Sequence, residues 1–290
     1  MFIDALLSGL TLGGMYALIA MGLTLQYGVA RILNLAHGEV LIAASFAAYA
    51  LVTYAGIGPL WGLLLIVPLG FALSYAIYRV LLTPLVRRAR TRAVLEVDSI
   101  LATFGLLFII QGLMLAMFGG NYTSYSYLND PVELLGTTIA ANRLLVLAVA
   151  ITLGCVFYLA LTRTRIGTAL RAVAADPVAA GLVAIDVRWA AGLAFALGGA
   201  LAATGGVLLS MYLTFNANIG VVFTMKALIV VIMGGVGNVL GALIAGLILG
   251  LAESFVATFG DPGLTLAATY AIFLLILLVK PEGLFGRAAR

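Results

Sequence analysis

Apolar residues run along this chain in long blocks with short polar interruptions. The blocks lie near positions 5–30, 38–55, 60–82, 99–118, 144–162, 189–213, 221–236, 238–258 and 264–280. About 20 mostly apolar residues suffice to carry one helix across the hydrocarbon core of a bilayer. The pattern therefore predicts an all-α fold, a polytopic transmembrane bundle of eight to ten spans forming a single domain over 1–290. The short 221–236 block is the one open to a re-entrant reading.

Composition agrees: 64% of the 290 residues are hydrophobic and only 9% are charged, which no water-soluble domain matches. Cys155 sits alone inside an apolar block, so neither a disulfide framework nor a cysteine metal cluster is expected. The start, Met1-Phe2-Ile3-Asp4, has no basic region ahead of the first block. The first span is therefore expected to be retained and not cleaved as a signal peptide.

A formal charge of +4 raises the question of a nucleic-acid partner, but the basic residues form no continuous face. They cluster beside the blocks and report topology instead. Arg79, Arg87, Arg88, Arg90 and Arg92 follow the third block. Arg163, Arg165, Arg171 and Arg188 lie between the fifth and sixth, and Lys280, Arg287 and Arg290 close the chain. With these stretches and Arg31 cytoplasmic, an odd number of crossings puts the N-terminus outside and the C-terminus inside. All basic residues except Arg143 and Lys226 then lie on the cytoplasmic side. The Arg79–Arg92 stretch reads as facing lipid phosphates. The poorly basic loop Asn121–Asn142, rich in Tyr and Asn, falls outside, either as an interfacial aromatic belt or as a docking surface for a soluble partner.

The 34 glycines form small-residue ladders, Gly9-Gly13-Ala17, Gly198-Ala202-Gly206 and Gly237-Gly241-Ala245, of the kind that lets membrane helices approach closely. Two stretches resist that reading. Gly234-Gly235-Val236-Gly237-Asn238 is too dense in glycine for a helix interior, and Asn34-Leu35-Ala36-His37-Gly38-Glu39 puts polar groups between two apolar blocks. Both read as helix breaks. Setting Gly38 against Gly237 also aligns Val40 with Val239, Leu41 with Leu240 and Ala43 with Ala242. The expectation is a parallel repeat whose two broken helices face each other.

A helix that starts within the membrane directs free N–H groups and a positive dipole end at whatever it faces. Asn34, His37, Gly38 and Glu39 are therefore expected to line a substrate route opposite Gly235, Gly237 and Asn238. The competing reading leaves this segment solvated at the cytoplasmic interface beside Arg31. Glu253 and Lys226 carry less weight, Glu253 near the end of its block and Lys226 close to an expected outer end.

Four motifs in order carry a resemblance: Gly13-Gly14-Met15-Tyr16-Ala17-Leu18 leading to Asn34–Glu39; Gly167–Asp176; Lys226-Ala227 to Gly234-Gly235-Val236-Gly237; and Lys280-Pro281-Glu282-Gly283-Leu284-Phe285-Gly286-Arg287. Together they resemble the permeases of branched-chain amino acid ABC importers, of the LivH type, over essentially the whole chain. Ala175 departs from that pattern, which has an acidic residue before Asp176. The resemblance implies a bacterial inner-membrane protein working with a second homologous permease, two cytoplasmic ATP-binding subunits and a periplasmic substrate-binding protein. It also implies no cofactor in this chain, with ATP and Mg held by the partners. Consistently, no Gly-x-x-x-x-Gly-Lys-Ser/Thr is present.

The stretch 163–188 is expected to couple to the ATPase. Asp176-Pro177 reads as the cap and first residue of a second short helix, and Gly167, Leu170, Arg171 and Val173 lie on the first, with Leu170 and Val173 as knobs for the partner's groove. The alternative is an amphipathic connector on the membrane surface. At the level of function, the alternative is a self-sufficient transporter or channel with Glu39 and His37 as a proton relay. No nucleophile–base pair suggests an enzyme. Branched-chain amino acids, urea-like amides and other carboxylates all remain open as substrates.

Overall fold

The computed structural model describes residues 1–89, 91–134 and 137–286; Arg90, Arg287 and Arg290, assigned above to the cytoplasmic side, lie outside them. Helix α1 (Phe2–Leu25) continues through a π turn, Gln26–Ala30, and α2 is His37–Ala55. Helix α3 (Pro59–Ile77) passes through a second π turn, Tyr78–Leu82, into α4 (Thr83–Arg88), and α5 spans Arg92–Phe118. After a hairpin, β1 (Pro131–Leu134) with β2 (Thr137–Ala140), come α6 (Ala141–Arg163), α7 (Arg165–Ala175), α8 (Pro177–Leu182) and α9 (Val187–Ser210). The chain ends with α10 (Gly220–Gly234), α11 (Val239–Phe259) and α12 (Thr265–Val279).

Among the described residues, eight helical stretches are long and apolar enough to cross a membrane, and α10, with 15 residues, is a shorter apolar helix beside them. The polytopic bundle is thus as the apolar blocks predict. The hairpin departs from an all-α reading; it lies within the polar Asn121–Asn142 loop, outside the apolar blocks.

Helices α1 and α9 are the most enclosed, while α5 and α12 turn broad apolar faces outward. The core joins Met15, Leu18 and Ile19 of α1 to Leu41 and Phe46 of α2, Leu208 of α9, Val230 of α10 and Leu249 of α11. Helix α1 packs most extensively on α11. There Gly13 lies against Leu247, and Gly246 against the backbone of Ala17. Leucine at these positions would hold the two backbones apart.

One face of the bundle carries Met1 and the other carries the end of α1 at Ala30. Arg143 bonds Ser8 Oγ at 3.0 Å on the Met1 face. On the Ala30 face the Arg31 guanidinium donates to the Ala174 carbonyl at 3.0 Å. Alternation of the helices brings Arg79, Arg163, Arg165, Arg188 and Lys280 to that same Ala30 face. Lys226 belongs to neither face. Because α10 begins inside the bundle, this residue, expected near an outer end, is instead interior.

Candidate functional site

The site begins where α1 fails to stop. After the π turn, Arg31 takes a left-handed conformation (φ 55°) and reverses the chain. Residues 32–36 then run back alongside α1 until His37 Nε2 lies 3.0 Å from the Ile19 carbonyl. Ile19 precedes Ala30 by 11 residues, so the His37 imidazole reaches a level about 16 Å inside the bundle. Arg31 is half-buried at the Ala30 face, and Glu39 is fully buried in the interior.

A polar frame holds the returning segment. Gln26 donates to the Phe195 carbonyl (2.9 Å) and accepts from the Asn34 amide (3.2 Å), whose own oxygen accepts the Ala36 N–H (3.1 Å). From α5, the Thr103 hydroxyl accepts the Leu35 N–H at 3.2 Å and lies 3.0 Å from the Leu33 carbonyl. Gln26, Asn34 and Thr103 are buried, so each bond offsets a desolvated group. Replacing Gln26 by Leu orphans the Asn34 amide and should lower unfolding stability by about 2 kcal/mol. Thermal unfolding in detergent measures this, and an unchanged midpoint would show that the frame is not what holds the break.

A second chain reversal meets the first. After α9 ends at Ser210, residues 211–219 turn back into the bundle, pinned by paired backbone bonds between Thr123 and Phe215 (2.7 and 3.0 Å). Helix α10 then starts at Gly220, in contact with Gly38 at the start of α2, and neither position has room for a side chain. The Gly38 N–H donates to Thr224 Oγ1 at 2.9 Å, and that hydroxyl lies 3.2 Å from the Leu35 carbonyl. Two helix N-termini thus meet in the interior, with the Glu39 carboxylate packed on Gly220. Glu39 and His37 are fully buried, and neither Glu39 oxygen nor His37 Nδ1 has a hydrogen-bond partner among the described residues.

Gly235, Gly237 and Asn238 are elsewhere. Gly235 and Gly237 have positive φ (99° and 79°), and Asn238 caps α11 by accepting the Gly241 N–H at 3.0 Å. They form the α10–α11 turn on the Ala30 face, where Gly28 abuts Gly237. The length of α10, about 20 Å, separates them from Glu39. Leu284 and Phe285 dock on this turn: Leu284 N–H donates to the Met233 carbonyl (2.7 Å), Phe285 N–H to that of Gly234 (3.2 Å), and Asn238 to the Phe285 carbonyl (3.0 Å).

The partner of the Asn34–Glu39 break is therefore 211–219. Its start was hidden in the tail of the 189–213 block, and its polar signal is Asn216 and Asn218. Gln26, Thr103, Thr224 and Gly220 were also missed; each is a single polar or small residue inside or beside an apolar block.

A second polar cluster lies between α1, α10, α11 and α12. Glu253 Oε2 takes the Lys226 ammonium and the Tyr16 hydroxyl, both at 2.8 Å, and its Oε1 takes the Thr269 hydroxyl at 2.6 Å.

On the Ala30 face, Thr164 caps α7 through the Gly167 N–H (3.0 Å), and Asp176 caps α8 through the N–H groups of Val178 (2.9 Å) and Ala179 (3.1 Å), with Pro177 first in the helix. Gly167 is pressed against the end of α6, and Arg171 donates to the Thr162 carbonyl at 3.2 Å. Leu170 and Val173 do not project as knobs. Both are buried against Leu25, Val29, Leu161 and Ala190, because the amphipathic α7 turns its apolar side to the bundle. What projects is Val178, Leu182 and Val183, at 70%, 85% and 70% exposure.

Residues 5–279 match the family described as the branched-chain amino acid transport system permease component. The chain belongs to this family. It is 33% identical to the high-affinity branched-chain amino acid transport system permease protein BraD of Pseudomonas aeruginosa, over 99% of this chain and 96% of that protein. It is 32% identical to LivH of Salmonella typhimurium with the same coverage. It is 28% identical to a probable LivH of Methanocaldococcus jannaschii, over 93% of this chain and 88% of the relative. Among solved structures, PsaBC from Streptococcus pneumoniae in complex with Fab aligns over 98% of this chain at 11% identity and a TM-score of 0.49. Membership in a permease family supports a transport subunit over a self-sufficient channel.

Proposed function

We propose that this chain is the translocation subunit of an ATP-driven importer, carrying branched-chain or similar hydrophobic amino acids across the bacterial inner membrane. It would pair with a second homologous permease, two cytoplasmic ATP-binding subunits and a periplasmic binding protein. The observation that carries this is the meeting of two helix N-termini in the membrane interior around Glu39. Irregular backbone at such depth is tolerated where it lines a route or is enclosed by protein. The route then passes Asn34, His37, Gly38 and Glu39 on one side and the start of α10 on the other, while Gly235, Gly237 and Asn238 lie at its Ala30-face end. The positive-inside rule makes the Ala30 face cytoplasmic and places Met1 outside.

In this reading Gly167–Ile185 transmits ATP hydrolysis, with Leu170 and Val173 fastening it to the bundle and Val178, Leu182 and Val183 meeting the ATP-binding subunit. Asp176→Ala removes a cap worth about 1 kcal/mol and should loosen α8 while the spans stay folded. Leu182→Asp with Val183→Asp should go further, abolishing ATPase association without loss of membrane insertion. Co-purification of the ATP-binding subunit checks both; normal recovery with the double variant would move the coupling site elsewhere.

The functional test is reconstitution. Proteoliposomes holding all components should accumulate L-leucine only with ATP. Uptake by this chain alone, driven by a proton gradient, would defeat the proposal.

A further inference from the structure

Two carboxylates are buried in the interior of this bundle, and their surroundings differ. Glu253 is met by a lysine, a tyrosine and a threonine. Glu39 is met by none: it is fully buried, and both its oxygens lack a partner among the described residues. Burying a charge without a partner is among the costliest arrangements a protein can hold, more so within a bilayer.

The amides of α2 do not relieve it. The Gly38 N–H is taken by Thr224, and those of Glu39 and Val40 by the Ala36 carbonyl. Helix α10 differs: its first turn has no side-chain cap, and the first amides of an α-helix have no acceptor within the helix. An unpaired acceptor and a set of uncapped donors therefore lie side by side, Glu39 against Gly220.

We propose that Glu39 receives the α-ammonium group of a zwitterionic solute in transit, while the solute's carboxylate takes the uncapped amides at the start of α10. Parting of Gly38 from Gly220 opens the site, and their contact closes it behind the solute. This assignment rests on the permease reading and deepens it by naming the groups that read the solute.

The test uses the complete transporter in proteoliposomes with Glu39→Gln, which keeps the shape and removes the charge, and Glu39→Asp, which keeps the charge. L-leucine uptake should fall at least tenfold in Glu39→Gln and recover in part in Glu39→Asp. The melting temperature of Glu39→Gln should be no lower than that of the wild type, since an unpaired carboxylate does not stabilise the fold. Wild-type uptake by Glu39→Gln overturns the assignment. So does a fall in melting temperature parallel to the loss of uptake, which would make Glu39 a structural cap of α10. Abolition of ATP-driven wild-type uptake by a protonophore would assign Glu39 to proton transfer and overturn it as well. Failure of the wild-type complex to accumulate leucine with ATP would instead strike the permease reading itself.

Discussion

Replacing Gly250 by Leu is expected to destabilise this bundle markedly. A side chain there would meet the backbone N and Cα of Gly13, with the Gly9 carbonyl oxygen only 2.7 Å away. All three are main-chain atoms, so no rotamer change clears the space and the two helices must separate. That separation would be felt along the whole α1–α11 contact, including Gly246 against Ala17. Overpacking commonly costs 1–3 kcal/mol, and a rigid obstruction lies at or above the top of that range. A loss of about 3 kcal/mol corresponds to a fall of roughly 10 °C in melting temperature. The informative control is Gly112→Leu on α5, where nothing lies within 4 Å; it should insert and melt like the wild type. If both variants behave alike, close helix approach is not what this glycine provides.

The same contrast shows what the sequence could and could not disclose. Spacing alone identified Gly9, Gly13 and Ala17 as a packing ladder, because small residues four apart must share a helix face. It could not say which helix they meet. The ladder read on the next element, Gly237-Gly241-Ala245, begins in a turn and sends Gly241 against Gly234, while the groups facing α1 are Gly246 and Gly250. Apolar blocks bounded the spans at eight to ten and basic clusters indicated the segregation of charge, since both are dictated by the bilayer and not by the fold.

The candidate site was half legible for a related reason. Six consecutive residues from Asn34 to Glu39 interrupt an apolar pattern and stand out in one dimension. Their counterpart is a chain reversal at 211–219 lined with Phe215 and Ala217, apolar enough to pass as the end of a span. An internal match to Gly38 therefore settled on Gly237, the densest glycine run. Contacts made across more than 180 residues, such as Gly38 with Gly220 and Thr224, leave no periodic signal. Burial of Leu170 and Val173 was similarly undecided, because an amphipathic helix has an apolar face whether it meets a partner or its own bundle.

Lys226→Met should be the most damaging single charge removal in the protein. It leaves Glu253 buried with two hydroxyl donors, Tyr16 and Thr269, and no cation. Removing one member of a buried pair costs about 3–5 kcal/mol, because the remaining charge is stranded. Helix α10 would suffer first: it has only 15 residues, it begins in the interior, and Lys226 ties it to α11 and α1 through Glu253 and Tyr16. Replacing both charges gives the opposite expectation. Lys226→Met with Glu253→Leu removes the stranded charge, and buried pairs exchanged for apolar side chains are often neutral or better. The Tyr16 and Thr269 hydroxyls lose an acceptor in that variant, which costs about 1 kcal/mol each. The double variant should therefore melt well above Lys226→Met alone, and a double-mutant cycle completed with Glu253→Leu should show a favourable coupling between the two charges. Additive losses would mean that Glu253 is held by Tyr16 and Thr269 and that Lys226 contributes nothing to the lock. With coupling of the expected sign, the pair fixes the position of α10 and, with it, the uncapped turn that faces Glu39.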